Sequence, residues 1–127
     1  MREPAPLEAE IQRDILLAAP TIDCILMRNV VGRFLNPQGN SLAVGLGGGG
    51  GSDLIGWAKV NGAAVFLAIE CKRRGARTPP ERLKKQLAFI AAVRDAGGIA
   101  AMCFSVEEFI GVVRDYRARA DESGVAQ

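Results

Sequence analysis

Apolar positions along the chain change period several times, and each change marks an element. Over residues 4–19, Leu7, Ile11, Ile15 and Ala18 or Ala19 recur at the spacing of one buried helical face. Pro20 predicts the end of that helix. Glu8 shares the face of Ile11, Gln12 and Ile15, whereas Glu10 groups with Arg13, Asp14 and Leu17 on the side expected to face water. Residues 22–31 read as a strand broken by Gly32, residues 34–40 as a turn or loop, and 41–44 as a short strand. Residues 52–72 read as a hairpin about Asn61-Gly62, the dipeptide most diagnostic of a two-residue type I′ turn. Thr78 with Glu81 predicts a capping box for a helix running to about residue 95, stopped by Gly97-Gly98, with Gln86, Phe89, Ile90 and Val93 on one face. An apolar strand follows over 99–104. Ser105 with Glu108 caps a last helix whose inward stripe is Phe109, Val112, Val113 and Tyr116, and residues 118–127 read as a flexible tail. The whole chain, 1–127, reads as one domain without internal repeats.

The hairpin turn sets a register by counting. Val60 faces Ala63, Trp57 faces Phe66, and Asp53 comes to lie opposite Glu70. Directly opposed Cβ atoms on an antiparallel pair stand roughly 4.5–5.5 Å apart, so two like charges there repel. A divalent cation would offset that repulsion, since Mg²⁺ takes carboxylate oxygens and keeps waters for chemistry. Strand alternation puts Lys72 on the face of Glu70 and turns Cys71 to the other. Alternatively, Asp53 and Glu70 are solvated strand residues and Lys72 an edge lysine. The apolar run 65–69 argues against that, because charges at the end of a buried strand are costly without partners.

Composition narrows the chemistry. The chain has no histidine, which removes Ser-His-Asp, Cys-His and histidine-metal sites and leaves carboxylates and lysine. Cys24, Cys71 and Cys103 are scattered and odd in number, so neither a disulfide framework nor a zinc site is supported, and a reducing cytoplasm fits. The charged N-terminus lacks an apolar leader, and no run approaches membrane-spanning length, so a soluble, unexported protein is expected.

Net charge is only +2, but its distribution is uneven. Lys72, Arg73, Arg74, Arg77, Arg82, Lys84 and Lys85 crowd beside the acids, interrupted by Glu81. Such a cluster suits a polyanion that must approach two carboxylates, and points to nucleic acid rather than to a solvated helix start. Arg28 and Asn29 could face phosphate or simply solvent. Taken alone, Glu8 could serve a site or the helix dipole, and Gln86 a site or the edge of the core. The run Gly45-Leu46-Gly47-Gly48-Gly49-Gly50-Gly51 formally satisfies Gly-x-Gly-x-x-Gly, yet a strand and not a helix follows it. A flexible loop is therefore expected, not a dinucleotide site or any organic cofactor.

Glu8-x-x-Ile11-Gln12, Arg28-Asn29-x-x-Gly32, Gly51-Ser52-Asp53-Leu54-Ile55-Gly56, Ile69-Glu70-Cys71-Lys72 and Gln86 with Phe89 occur in that order. Together they resemble the VRR-Nuc family of the PD-(D/E)xK nuclease superfamily, over about residues 7–109. Ser52 departs from the proline of the superfamily's name, a residue that shapes the strand and is not a ligand. The resemblance implies an α/β, restriction-endonuclease-like αβββαβα core with a mixed central sheet flanked by helices. It also implies a Mg²⁺- or Mn²⁺-dependent, structure-selective endonuclease, cutting branched DNA such as Holliday junctions as a homodimer in a bacterial or phage-infected cytoplasm.

By that likeness Asp53, Glu70 and the main-chain carbonyl of Cys71 hold metal, and Glu8 binds or orients a second metal or a water. Lys72 positions the attacking water, and Gln86 supports that lysine or the scissile phosphate. Arg28, Asn29, Arg73, Arg74, Arg77, Lys84 and Lys85 contact DNA. A flap or single-strand nickase of the same fold, or a non-catalytic nucleic-acid-binding module, are the alternatives.

Overall fold

Asn61 and Gly62 adopt φ values of 48° and 82°, the two left-handed conformations that a type I′ turn requires. In this computed structural model, which describes residues 5–123, the turn joins β4 (Leu54–Val60) to β5 (Ala63–Cys71). The register is Val60 on Ala63, Trp57 on Phe66 and Leu54 on Ile69, as counting outward from the turn predicts. Residues 1–4 and 124–127, the charged N-terminus and the end of the expected tail, lie outside the described residues.

β1 (Cys24–Arg28) pairs antiparallel with β4, and β6 (Ile99–Cys103) pairs parallel with β5, giving a mixed sheet of order β1-β4-β5-β6. The parallel pair needs a crossover, which α2 (Pro80–Asp95) supplies. α1 (Glu8–Ala18) and α3 (Val106–Ser123) complete the αβββαβα order. Side chains alternate along β5, so the sheet has two cores. Leu67, Ile69 and Cys71 join Ile11, Ile15, Leu54, Phe109 and Val113 of α1, β4 and α3. Ala68 and Ala100 instead seat Ile90 and Val93 of α2. Small residues under α2 let the helix approach the sheet closely, which matters for the site below. No helix among the described residues is long and apolar enough to cross a membrane.

Several boundaries differ from the sequence expectation. α1 starts at Glu8, with Leu7 extended and giving no side-chain cap. The α-helix does end ahead of Pro20, as expected, at Ala18, and the proline's fixed φ suits the start of the 3-10 turn that follows, Ala19–Ile22, which ends at left-handed Asp23. The strand expected over 22–31 is only Cys24–Arg28, and Gly32 opens a strand rather than breaking one. β3 (Ser41–Val44) is the short strand expected there, but it pairs with β2 (Gly32–Leu35), most of which reads as loop, to form a separate two-stranded hairpin. Its turn is organised by Asn36, whose Oδ1 accepts from the N–H groups of Gln38 and Asn40 at 3.0 and 2.8 Å.

The capping box of Thr78 and Glu81 does not form. Pro79 takes the cap position without a side-chain hydrogen bond, which moves Thr78 outside the helix. Ser105 and Glu108 do cap α3: the hydroxyl accepts from the Glu108 N–H at 3.1 Å, and the carboxylate from the Phe104 N–H at 2.9 Å. The flexible tail expected from residue 118 is helix as far as Ser123. Ala120 packs in the core, and one turn earlier the Arg117 guanidinium donates to the carbonyl of Lys59 at 2.9 Å.

The glycine run is not a flexible loop either. It makes a 3-10 turn, Gly48–Gly50, pressed onto α2, where a Cβ on Gly50 would fall 2.5 Å from the carbonyl oxygen of Lys85. No side chain fits there, so helix and loop lock backbone to backbone.

Candidate metal centre

Alternation along the last residues of β5 sends Glu70 and Lys72 towards α2 and Cys71 into the opposite core. The β4–β5 register carries Asp53, the residue before β4, across from Glu70. There the Asp53 Oδ2 accepts a hydrogen bond from the Cys71 N–H at 2.8 Å. Glu8 arrives from the first turn of α1, whose Ile11 and Ile15 anchor it in the core. Carboxylate oxygens of Glu8, Asp53 and Glu70 all lie within 4.8 Å of one another. The two opposed acids therefore gather on one side, with a third that the hairpin alone does not supply.

Burial makes this cluster unusual. Glu70 is 2 % exposed, Lys72 6 % and Gln86 4 %. Lys72 Nζ stands 3.7 Å from Glu70 Oε2, and the Gln86 side-chain amide donates to the same oxygen at a long 3.4 Å. Glu70 Oε1 and Gln86 Oε1 are buried without a hydrogen-bond partner. Burial is the largest cause raising the Glu70 carboxyl well above the ordinary carboxylate range, followed by the charge of Asp53, while Lys72 pulls the other way. A buried acceptor without a donor is costly, and a hard divalent cation would satisfy this one. Three carboxylates without histidine or thiolate form an oxygen donor set that fits Mg²⁺ or Mn²⁺.

The three thiols take no part. Cys24, Cys71 and Cys103 are buried and free, and burial pushes the Cys103 thiol up to about 12.

The basic residues divide. Arg73, Arg77, Lys84 and Lys85 are exposed and make no side-chain ion pair or hydrogen bond among the described residues. Arg74 is paired with Glu108 at 2.8 Å and lies over the Phe104 ring at 5.4 Å. Arg28 donates to Gln12 Oε1 at 2.8 Å. Asn29 spends its side-chain amide inside the protein, on Leu46 and Ser52. Sequence reasoning missed that use, because nothing in the pattern pairs residue 29 with 46 or 52. It also missed Ser52, which is fully buried with its hydroxyl unpartnered.

A family model described as the VRR-NUC domain matches residues 42–107, a little over half of the chain. The chain belongs to the VRR-NUC family. No curated protein and no solved structure matches it. VRR-NUC domains are PD-(D/E)xK nucleases, and Asp53, Glu70, Lys72 and Gln86 all fall inside the matched region. Glu8, Arg28 and Asn29 lie outside it. Glu8 joins Asp53 and Glu70 on geometry alone.

Proposed function

We propose that this VRR-NUC protein is a metal-dependent endonuclease that hydrolyses phosphodiester bonds in branched DNA, Holliday junctions foremost, as a homodimer. The observation that carries the reading is the convergence of Glu8, Asp53 and Glu70 around a buried lysine. Those acids, with the main-chain carbonyl of Cys71, would hold Mg²⁺ or Mn²⁺. Bound there, the ion supplies Lewis acidity and a more acidic water.

The chain's own residues do the rest. Asp53 is aimed by the Cys71 N–H, so one carboxylate oxygen is held while the other stays available. Lys72, kept beside Glu70, offers a positive charge to the attacking water and to charge growing on the phosphoryl oxygens. Gln86 fixes Glu70 from α2 and has a free carbonyl for a water. Burial strengthens each of these electrostatic effects. Arg73, Arg77, Lys84 and Lys85 draw the backbone in from outside; Arg28 and Arg74, exposed though paired, border the same end of the sheet.

Labelled four-way, flap, single-stranded and linear DNAs incubated with and without Mg²⁺ or Mn²⁺ test this. Paired symmetric incisions in the four-way substrate, dependent on metal, are the expected result. Cutting confined to flaps or single strands replaces the junction reading with the nickase. Metal-independent binding without any cleavage replaces the enzyme with a binding module.

A further inference from the structure

Asn29, which follows β1, donates its main-chain N–H to the carbonyl of Asp53 at 2.8 Å. Its side-chain Nδ2 donates to the carbonyl of Ser52 at 3.0 Å and to that of Leu46 at 2.7 Å, and its Oδ1 accepts from the Leu46 N–H at 2.9 Å. The Ser52 carbonyl belongs to the peptide plane before the Asp53 Cα, and the Asp53 carbonyl to the plane after it. One residue therefore holds both planes, and with them the φ and ψ that aim the Asp53 side chain at Glu70. Leu46 and Ser52 flank the glycine run, so the same amide closes residues 46–52 into a ring. A Cβ on Gly51 would fall 1.9 Å from the carbonyl oxygen of Leu46 and 3.0 Å from Asn29 Nδ2, which explains a glycine at that place. Both donors and the acceptor of the amide are occupied, leaving no side-chain donor for a phosphate.

We infer that Asn29 is a positioning residue for the metal centre, fixing the direction of Asp53 through its two flanking peptides, and is not a DNA contact. The inference rests on the metal-centre reading above and adds a residue from outside the region matched to the family. Groups that orient metal ligands weaken metal affinity by about 10–100-fold when removed, whereas a DNA contact weakens DNA binding instead.

The test measures two affinities on the full chain: Mn²⁺ by titration without DNA, and four-way DNA by fluorescence anisotropy in Ca²⁺. Asn29→Ala is expected to weaken Mn²⁺ binding about tenfold or more and to leave DNA affinity within about twofold. Asn29→Ser, whose hydroxyl can keep one carbonyl, is expected to lie between it and the wild type, and serves if the alanine variant does not fold by circular dichroism. Unchanged Mn²⁺ affinity in a folded variant overturns the inference, as does a loss confined to DNA binding. Asp53→Asn separates the two levels: wild-type protein with no Mn²⁺ binding that this change removes overturns the metal centre itself, whereas such binding undiminished at Asn29→Ser overturns only the role of Asn29.

Discussion

The parallel pair β5–β6 has two ends that treat polar groups in opposite ways. Where the strands begin, a cleft of about 570 Å³ opens between α3 and the end of α2, and two of the polar side chains lining it are partnered to main-chain carbonyls. The Arg94 Nε donates to the Ala100 carbonyl at 2.8 Å and the Tyr116 hydroxyl to that of Gly97 at 2.9 Å. Where the strands finish, Glu70 and Gln86 keep buried oxygens without donors, beside a lysine and two more acids. The cleft offers space, whereas the other end leaves interactions incomplete. Cavity volume points to the cleft, but unsatisfied buried acceptors point to the acidic end.

That contrast is broken most severely by Asp53→Asn or Glu70→Gln. Each is expected to lower the cleavage rate by on the order of a thousandfold, the equivalent of several kcal/mol of transition-state stabilisation. The thermal midpoint without metal should hold near neutral pH, where Glu70 keeps its proton, and rise above about pH 8, where the two charged carboxylates would repel. Gel cleavage assays beside differential scanning fluorimetry check both halves. Phe109→Ala strikes the core on the other face of the sheet, where the ring is fully buried. It should cost about 3–5 kcal/mol of stability by chemical denaturation, while the rate per folded molecule stays near that of the wild type.

A subtler test uses pH. Glu70 is pushed up to about 8 from an ordinary 4.5, so the folded state keeps a proton that the unfolded chain has released. Protein free of metal should lose stability as pH rises from about 5 to about 8. Glu70→Gln should flatten that slope, and Mg²⁺ should offset it most at the alkaline end. A midpoint that climbs over the same range in the metal-free wild type would contradict the burial of this acid. The smallest expected effect belongs to Arg117→Ala. It removes hydrogen bonds to the Lys59 and Asp23 carbonyls at about 1 kcal/mol, with cleavage of four-way DNA unaltered.

Much of this was legible before any coordinates, for a local reason. Asn61-Gly62 determines its own turn, a turn determines register, and register places Asp53 against Glu70 with no long-range information. The inward face of Glu8 follows from helical period in the same way. What could not be read depends on contacts between distant segments. β3 was read as a strand, but its partner β2 has only four residues, too few for alternation to stand out, and Phe34-Leu35 before Asn-Pro looks like loop. The glycine run looks flexible until α2 is packed against it. Asn29 looked like a surface residue because its partners lie at least seventeen residues away. Thr78 failed in the opposite sense: its local pattern was right, but the adjacent prolines shifted the helix start.

One consequence concerns the sulfur beside the acids. Cys71 sits between Glu70 and Lys72, yet its thiol faces the opposite core and burial holds it protonated far above neutrality. Alkylating agents and peroxides attack thiolates in accessible positions, so they find no handle at this centre. The protein should need no reductant to stay active, and iodoacetamide should leave it unharmed for as long as it stays folded.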